Sequence, residues 1–332
     1  MLDPILAPPT VQALKRKLQR WIVKTPVFGW HTPEMIDMMG ANTHVEIKLE
    51  LFQNTNTFKP RGAINVMLNG EKGKLKNGVV AVSGGNHGIA VAYAAKQLGY
   101  HAKIVIPKTA SPLRRQRCEY YGAEVIPCED FASGVQLFEE IEAKENRLRV
   151  HPHEGLYTIQ GAATLAAEWE KQCAKPLDAV IVSIGGGGLI AGVGSYFKQV
   201  WPNVKIYGVE PTGAPTLHHS LEIGTPSRLD VPPKTIADSL AMSTATPYTF
   251  SVLQQVVDDI VLVTDDQMRW AMHLLFTQMK LVAEPACAAP VAALLGPLRE
   301  KLAGQRVGII ACGSNLDIAA FAKEVFQGQM AV

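Results

Sequence analysis

The sequence predicts an α/β protein of two lobes, each a mostly parallel sheet covered by helices, and three observations predict it. Short β-rich runs alternate with helical periods along most of the chain, a rhythm that requires crossover connections and therefore parallel strands. The length of 332 residues exceeds what one small core can hold and suits two. Small-residue turns recur where a strand passes into a helix, at 83–88, 185–189 and 311–315, the edge of a parallel sheet at which ligands bind.

Taken in order, Val11, Leu14, Leu18, Trp21 and Ile22 share one helical face, and the alternation Val45, Ile47, Leu49 within 43–50 marks a half-buried strand. Asn54 to Thr57 offer short polar side chains for a turn and a helix cap, and Ala63, Ile64, Val66, Met67 and Leu68 resume an apolar helical pattern. Lys59, between Phe58 and Pro60, therefore stands at a helix start, held in place. Strands follow at 78–82, 102–106, 123–127 and 147–150, with helices at 87–98 and 112–121. The rhythm continues as helix 160–172, strand 179–184, helix 189–200 and strand 204–209. The Pro-, Thr- and Ser-rich stretch 211–247 reads as a long loop over a site. Strand 260–263, helices 265–279 and 286–302, strand 307–311 and helix 316–326 complete the chain, and no short-period repeat appears.

Composition excludes several function classes. With 47% apolar and 19% charged residues and a formal charge of +2, nothing points to nucleic acid or an anionic membrane as partner. The clusters Lys15-Arg16-Lys17-Arg20 and Arg114-Arg115-Arg117 alternate with apolar residues and read as solvated helix faces. Five scattered cysteines without a C-x-x-C pair suggest neither a zinc site nor a disulfide framework and fit a reducing compartment. No membrane-length apolar run or signal pattern is present, so a cytoplasmic location is expected.

Three turns carry the chemistry. Ser83-Gly84-Gly85-Asn86-His87-Gly88 opens a helix directly after a strand, so its backbone N–H groups form a carboxylate or phosphate site. Asn86 can donate or accept there, and His87 reads more readily as a capping or network histidine than as a base. Gly185-Gly186-Gly187-Gly188-Leu189 repeats the anion cradle with four adjacent glycines. The same run also fits a dinucleotide fingerprint, with Gly186, Gly188 and Ala191 in the small-residue positions and Glu210 as the ribose-binding acid. Cys312, in Ala311-Cys312-Gly313-Ser314-Asn315, stands at a strand end and could equally be a buried small hydrophobe.

A single lysine, two anion cradles and a neutral thiol suit a pyridoxal phosphate enzyme. In order and residue content, Thr57-Phe58-Lys59-Pro60-Arg61-Gly62-Ala63, Ser83 to Gly88, the glycine run, Thr235-Ile236-Ala237-Asp238 and Cys312-Gly313-Ser314-Asn315 resemble the serine/threonine dehydratase family of fold type II pyridoxal-phosphate enzymes. The resemblance implies a tryptophan synthase β-like fold, with a discontinuous large domain at 1–72 and 156–332 and a small mobile domain at 73–155. It implies that Lys59 carries the cofactor as a Schiff base, that Phe58 lines its ring and that Asn86 bonds its phenolic oxygen. Gly185, Gly186, Gly187, Gly188 and Leu189 would hold its phosphate, and Cys312 would face its pyridine nitrogen. A substrate carboxylate would dock on Ser83, Gly84, Gly85, Asn86 and His87.

The implied reaction is β-elimination from a β-hydroxy amino acid such as L-threonine or L-serine, giving a 2-oxo acid and ammonia. A homodimer or larger homo-oligomer is expected. Two alternatives stand beside it: an amino-acid racemase of the same family, and a nicotinamide-dependent oxidoreductase that would leave Lys59 and Asn86 without work. Gly84 departs from the serine found at this position in the racemases, so racemisation should be weak. Asn56 and Ser239 replace usual glycines, and either could reshape the pocket toward an unusual side chain. Glu210, Ala214 and Thr216 are spaced like a divalent-cation (Mg or Ca) site of some relatives, but Thr216 removes a charged ligand and disfavours metal. Glu284 matches a family glutamate near the cofactor and equally reads as a helix-start acid, and Asp238 is similarly ambiguous. His151, His153, His218 and His219 read as loop residues. No appended regulatory domain like that of biosynthetic threonine dehydratases is expected after the last helix.

Overall fold

The computed structural model describes residues 2–329. Its strands are β1 (Val27–Trp30), β2 (His44–Lys48), β3 (Val79–Val82), β4 (Ala102–Pro107), β5 (Glu124–Cys128), β6 (Leu148–Arg149), β7 (Ala179–Ser183), β8 (Lys205–Pro211), β9 (Asp259–Val263) and β10 (Arg306–Ile310). They form a six-stranded sheet in the order β1-β2-β10-β7-β8-β9 and a four-stranded sheet in the order β5-β4-β3-β6. Pairing is parallel throughout except that β1 runs antiparallel to β2 at the edge. The chain is therefore an α/β protein with mostly parallel sheets, as its rhythm predicts.

Every residue of β7 is buried, as a strand covered on both faces requires. In the smaller sheet the two faces of β3 separate cleanly: Val79 and Ala81 pack with Ile89 of helix Asn86–Leu98, and Val80 packs with Phe138 and Ile141 of helix Phe131–Glu145. That last helix is missing from the sequence reading. Its apolar stripe is thin, yet Asp130 and Ser133 form a reciprocal capping box that marks its start.

Other elements also differ from expectation. Residues 211–247 are not one loop, for they contain helix Thr216–Ile223 and a short turn of helix at Asp238–Leu240. The helix expected at 286–302 is two pieces, Pro285–Leu295 and Arg299–Leu302. Trp21 and Ile22 lie beyond the end of helix Pro8–Leu18. β1 and helix Pro33–Met39 were not read from the sequence. Within helix Pro285–Leu295, Pro290 lacks the N–H that would bond the carbonyl of Ala286. The hydroxyl of Ser183, at the end of β7, donates to that carbonyl instead at 2.5 Å.

The start of helix Pro60–Leu68 is fixed by an unusual set of buried charges. Arg61 donates from Nε and Nη2 to the two oxygens of Glu50, each at 2.8 Å, and its Nη2 also reaches Glu168 at 3.2 Å. Lys48 donates to Glu168 at 2.6 Å, to Gln172 at 2.8 Å and to the Thr25 carbonyl at 2.7 Å. Two cations thus meet two carboxylates, with the remaining donors satisfied by neutral oxygens. Helix Leu156–Trp169 approaches so closely that a Cβ on Gly161 would lie 2.4 Å from the Arg61 carbonyl. Among the described residues no helix is long and apolar enough to cross a membrane.

Candidate active site

Lys59 is the N-cap residue of helix Pro60–Leu68, and no side chain caps that helix. The polar stretch Asn54 to Thr57 makes turns rather than the expected cap. Asn56 adopts the left-handed conformation at φ 56°, which glycine or asparagine tolerates best. Its side chain bonds the Leu51 carbonyl and accepts from Arg117, so it faces away from the cavity and does not reshape the pocket. Thr57 bridges to Gly313, and the Phe58 N–H donates to the Cys312 carbonyl at 3.3 Å. The lysine turn and the cysteine turn are thereby joined.

The Lys59 amine is enclosed between the lobes, donating to the Pro152 carbonyl at 2.6 Å and standing 5.1 Å from the centre of the Phe58 ring. Burial lowers its pKa to about 8, with the Cys312 and Glu284 side chains pulling the other way. It lines a cavity of about 640 Å³ whose walls include Ser83 to His87, Arg114, His153, Gly186, Asp238 and Glu284. It also lines a recess of about 50 Å³ bounded by Phe58, Gly185 to Leu189, Ser239 and Cys312.

Asn86 joins the two spaces. It donates to Glu284 at 2.6 Å and accepts from Asn315 at 2.7 Å. Glu284, 2% exposed, keeps its second oxygen without a hydrogen-bond partner. Burial raises its carboxyl to about 7, against the pull of Arg114. The helix-start acid is also a site acid. His87 hydrogen-bonds the Val150 carbonyl at 2.8 Å and is pushed down to about 3, first by burial and then by Lys59, so it serves as a network residue. Burial likewise lowers His151 to about 4 and holds His153 well below its ordinary value. The Cys312 thiol is raised well above its ordinary value by its hydrogen bond with Cys287 and by burial, so it is neutral.

In the glycine run, Gly187 takes φ 84° and helix Gly188–Val200 begins directly after it. Side chains are excluded here: a Cβ on Gly185 would lie 2.6 Å from the Ser239 carbonyl, and one on Gly186 would lie 2.2 Å from the His153 ring. The turn therefore presents bare backbone N–H groups at a helix N-terminus, the donor set an anion needs. An interior amine that gives up its proton readily, an aromatic face, a buried amide and a bare anion cradle around one recess fit a phosphorylated pyridine aldehyde.

Two residues read as bystanders belong to the wall. Arg114 does not lie on a solvated face. It donates to Asp238 and, at 3.0 Å, to the Asn315 carbonyl, and its Nη2 lies 3.7 Å from Glu284. Its place was detectable, since Arg114 and Cys118 stand one turn apart on the single buried stripe of helix Pro112–Tyr120. His153 is 5% exposed and lines both spaces, and no spacing in the sequence announces it.

Glu210 and Ala214 lie outside both spaces. The Glu210 carboxyl, fully buried, accepts from the Leu217 and His218 N–H groups at 2.9 and 2.7 Å, and burial raises it to about 8. Thr216 bonds the Met242 carbonyl. An acid so enclosed does not reach a ribose, and Ala191 is packed among Leu6, Ile159 and Val252. The dinucleotide reading fails on these two residues. Among the described residues no cluster of three His, Cys, Asp or Glu is placed to hold a metal ion.

Comparison with known proteins agrees with this geometry. Residues 18–313 match the family model described as pyridoxal-phosphate dependent enzyme. The chain is 45% identical over 318 residues to a phenylserine dehydratase of Ralstonia pickettii, covering 96% of each. It is 32% identical to an L-threonine ammonia-lyase of Geobacter sulfurreducens, covering 97% of this chain and 78% of the relative. The solved structure of maize serine racemase superposes with a TM-score of 0.89 at 29% identity, covering 98% of each chain. The extent of the match, together with the enclosed Lys59 and the bare glycine cradle, shows that this chain belongs to the pyridoxal-phosphate dependent enzyme family.

Proposed function

We propose that the chain is an ammonia-lyase that eliminates water from a β-hydroxy amino acid and takes up water again on hydrolysis, so that the net products are a 2-oxo acid and ammonia. The observation that carries this is the Lys59 amine, held near pKa 8 where the large cavity meets the glycine recess. When bound, pyridoxal phosphate supplies an aldehyde that condenses with amines and a conjugated ring that accepts the electron pair left at Cα. Phe58, Asn86, the Gly185 to Leu189 turn and Cys312 are the residues that would hold it.

The chain's own groups divide the remaining work. N–H groups of the Ser83 to His87 turn, at the start of helix Asn86–Leu98, bind the substrate carboxylate. Lys59 is the group placed to take the Cα proton, and the burial that lowers its basicity favours the unprotonated amine this needs. The β-hydroxyl then leaves as water, and hydrolysis of the remaining C–N bond gives the 2-oxo acid and ammonia.

The outer cavity wall favours an uncharged β-substituent. Pro107, Ala110, Phe131, Met242 and Leu316 supply apolar surface, and of the acids on this wall Asp238 is paired with Arg114 and Glu324 with Arg269, which leaves Asp317 to repel a second carboxylate. The nearby cation, Arg114, is engaged by Asp238. Together with the likeness to a phenylserine dehydratase, this supports an aryl-serine as a good substrate and a hydroxyaspartate as a poor one. A family racemase is the second reading, and Gly84 argues against it. No side chain stands there to serve the opposite face of Cα, and a Cβ would already meet that of Ala110 at 3.2 Å.

Purified protein should show a yellow band that borohydride bleaches, and should release keto acid from phenylserine faster than from threonine or serine. Colourless protein, or release from hydroxyaspartate above all others, would refute the assignment. Exchange of serine enantiomers at a rate rivalling elimination would restore the racemase. The same proposal includes movement of residues 73–155 as one lobe, supported by the separate sheet of β3 to β6, which hydrogen exchange with and without substrate would test.

A further inference from the structure

His153 has a buried Nε2 without a hydrogen-bond partner and a ring that reaches both the large cavity and the glycine recess. The ring lies against Gly186, where a Cβ would come within 2.2 Å of its Cγ and Nδ1. Its backbone is pinned: the carbonyl accepts from Thr249 Oγ1 at 2.9 Å, and a Cβ on Gly188 would stand 2.8 Å from that oxygen. The His151 ring braces it edge-on at 4.6 Å. A fixed imidazole with an idle nitrogen thus abuts the one turn whose backbone N–H groups converge at the start of helix Gly188–Val200.

We propose that His153 is a phosphate-binding side chain, its Nε2 donating a hydrogen bond to the cofactor phosphate alongside the N–H groups of the Gly185 to Leu189 turn. The inference rests on the cofactor reading of this recess and adds a side-chain contact to a cradle otherwise made of backbone. The ring stands against the glycine turn rather than the Ser83 to His87 turn, so its partner is the phosphate and not the substrate carboxylate. A neutral imidazole retains one N–H, and a phosphate dianion offers only acceptors, so the tautomer with hydrogen on Nε2 is the one selected.

The test compares pyridoxal phosphate with pyridoxal, the same aldehyde without the phosphate. Both are titrated into protein freed of cofactor, and binding is read from the visible band formed at Lys59. His153→Ala should weaken pyridoxal phosphate by roughly 10- to 100-fold and leave pyridoxal within about twofold. His153→Gln, which returns a donor near the same place, should recover much of the loss. Equal weakening of both aldehydes, no weakening of either, or no recovery with glutamine would overturn the contact. If the unaltered protein forms no band with either aldehyde, the cofactor reading fails, and the proposed contact fails with it.

Discussion

Lys48, at the end of β2, and Lys59, at the start of helix Pro60–Leu68, are both lysines drawn inside the protein, and their partners differ. Lys48 has a carboxylate, a side-chain amide and a backbone carbonyl as acceptors, and it belongs to a set of two cations and two anions closed by Arg61 and Glu50. Lys59 has one carbonyl, Pro152, as acceptor; burial lowers the basicity of both amines, so the difference lies in their partners. The contrast teaches that burial alone does not mark a functional charge. A buried cation whose donors are all answered is scaffold, and one left short of partners is available for chemistry. The scaffold cluster also holds the Arg61 end of the helix on which the reactive amine sits.

Breaking each lysine's environment separately should therefore give opposite losses. Lys59→Ala is expected to abolish the visible band and lower turnover by roughly 10³-fold or more while leaving the denaturation midpoint nearly unchanged; ammonia release that survives would end the assignment. Glu168→Ala removes the carboxylate shared by Lys48 and Arg61 and should destabilise the fold by about 3–5 kcal/mol in urea titration.

Glu284 sharpens the comparison through pH. Its carboxyl sits at about 7 in the folded chain against an ordinary 4.5, so between those values the folded chain holds a proton that the unfolded chain has released. Stability from this group is complete below 4.5 and is lost as pH rises through 7. In protein freed of cofactor, Glu284→Gln should flatten that decline, a difference of roughly 5 °C in Tm across the window. The smallest effect belongs to Asp238→Asn: its side chain is 56% exposed, so loss of its ion pair with Arg114 should cost under about 1 kcal/mol.

What the sequence reveals and hides follows the same division. Lys59, Asn86, the glycine run and Cys312, which border one recess, stand out in the sequence because each lies at or next to a turn, where small residues and backbone geometry leave a local trace. Lys48, Glu50, Arg61 and Glu168 left none. They span more than a hundred residues of chain, and their charges become buried only when β2, helix Pro60–Leu68 and helix Leu156–Trp169 come together. Arg114 was misread because basic neighbours disguised its position on a buried stripe. The helix Phe131–Glu145 was overlooked because only one edge of it is apolar, although its capping box was present in the letters. His153 gains its position from packing on Gly186, a contact across 33 residues that no local pattern encodes.

The proline within helix Pro285–Leu295 acts beyond its own helix. By withholding an N–H it leaves the Ala286 oxygen to Ser183, and this ties down a hydroxyl that also borders the recess beside Cys312. Restoring an amide at 290 would let the helix reclaim that oxygen and set the hydroxyl free to turn inward. The direction of a hydroxyl beside the thiol is thus linked to a proline four residues along a helix, and substitution at 290 becomes an engineering route to that side of the recess.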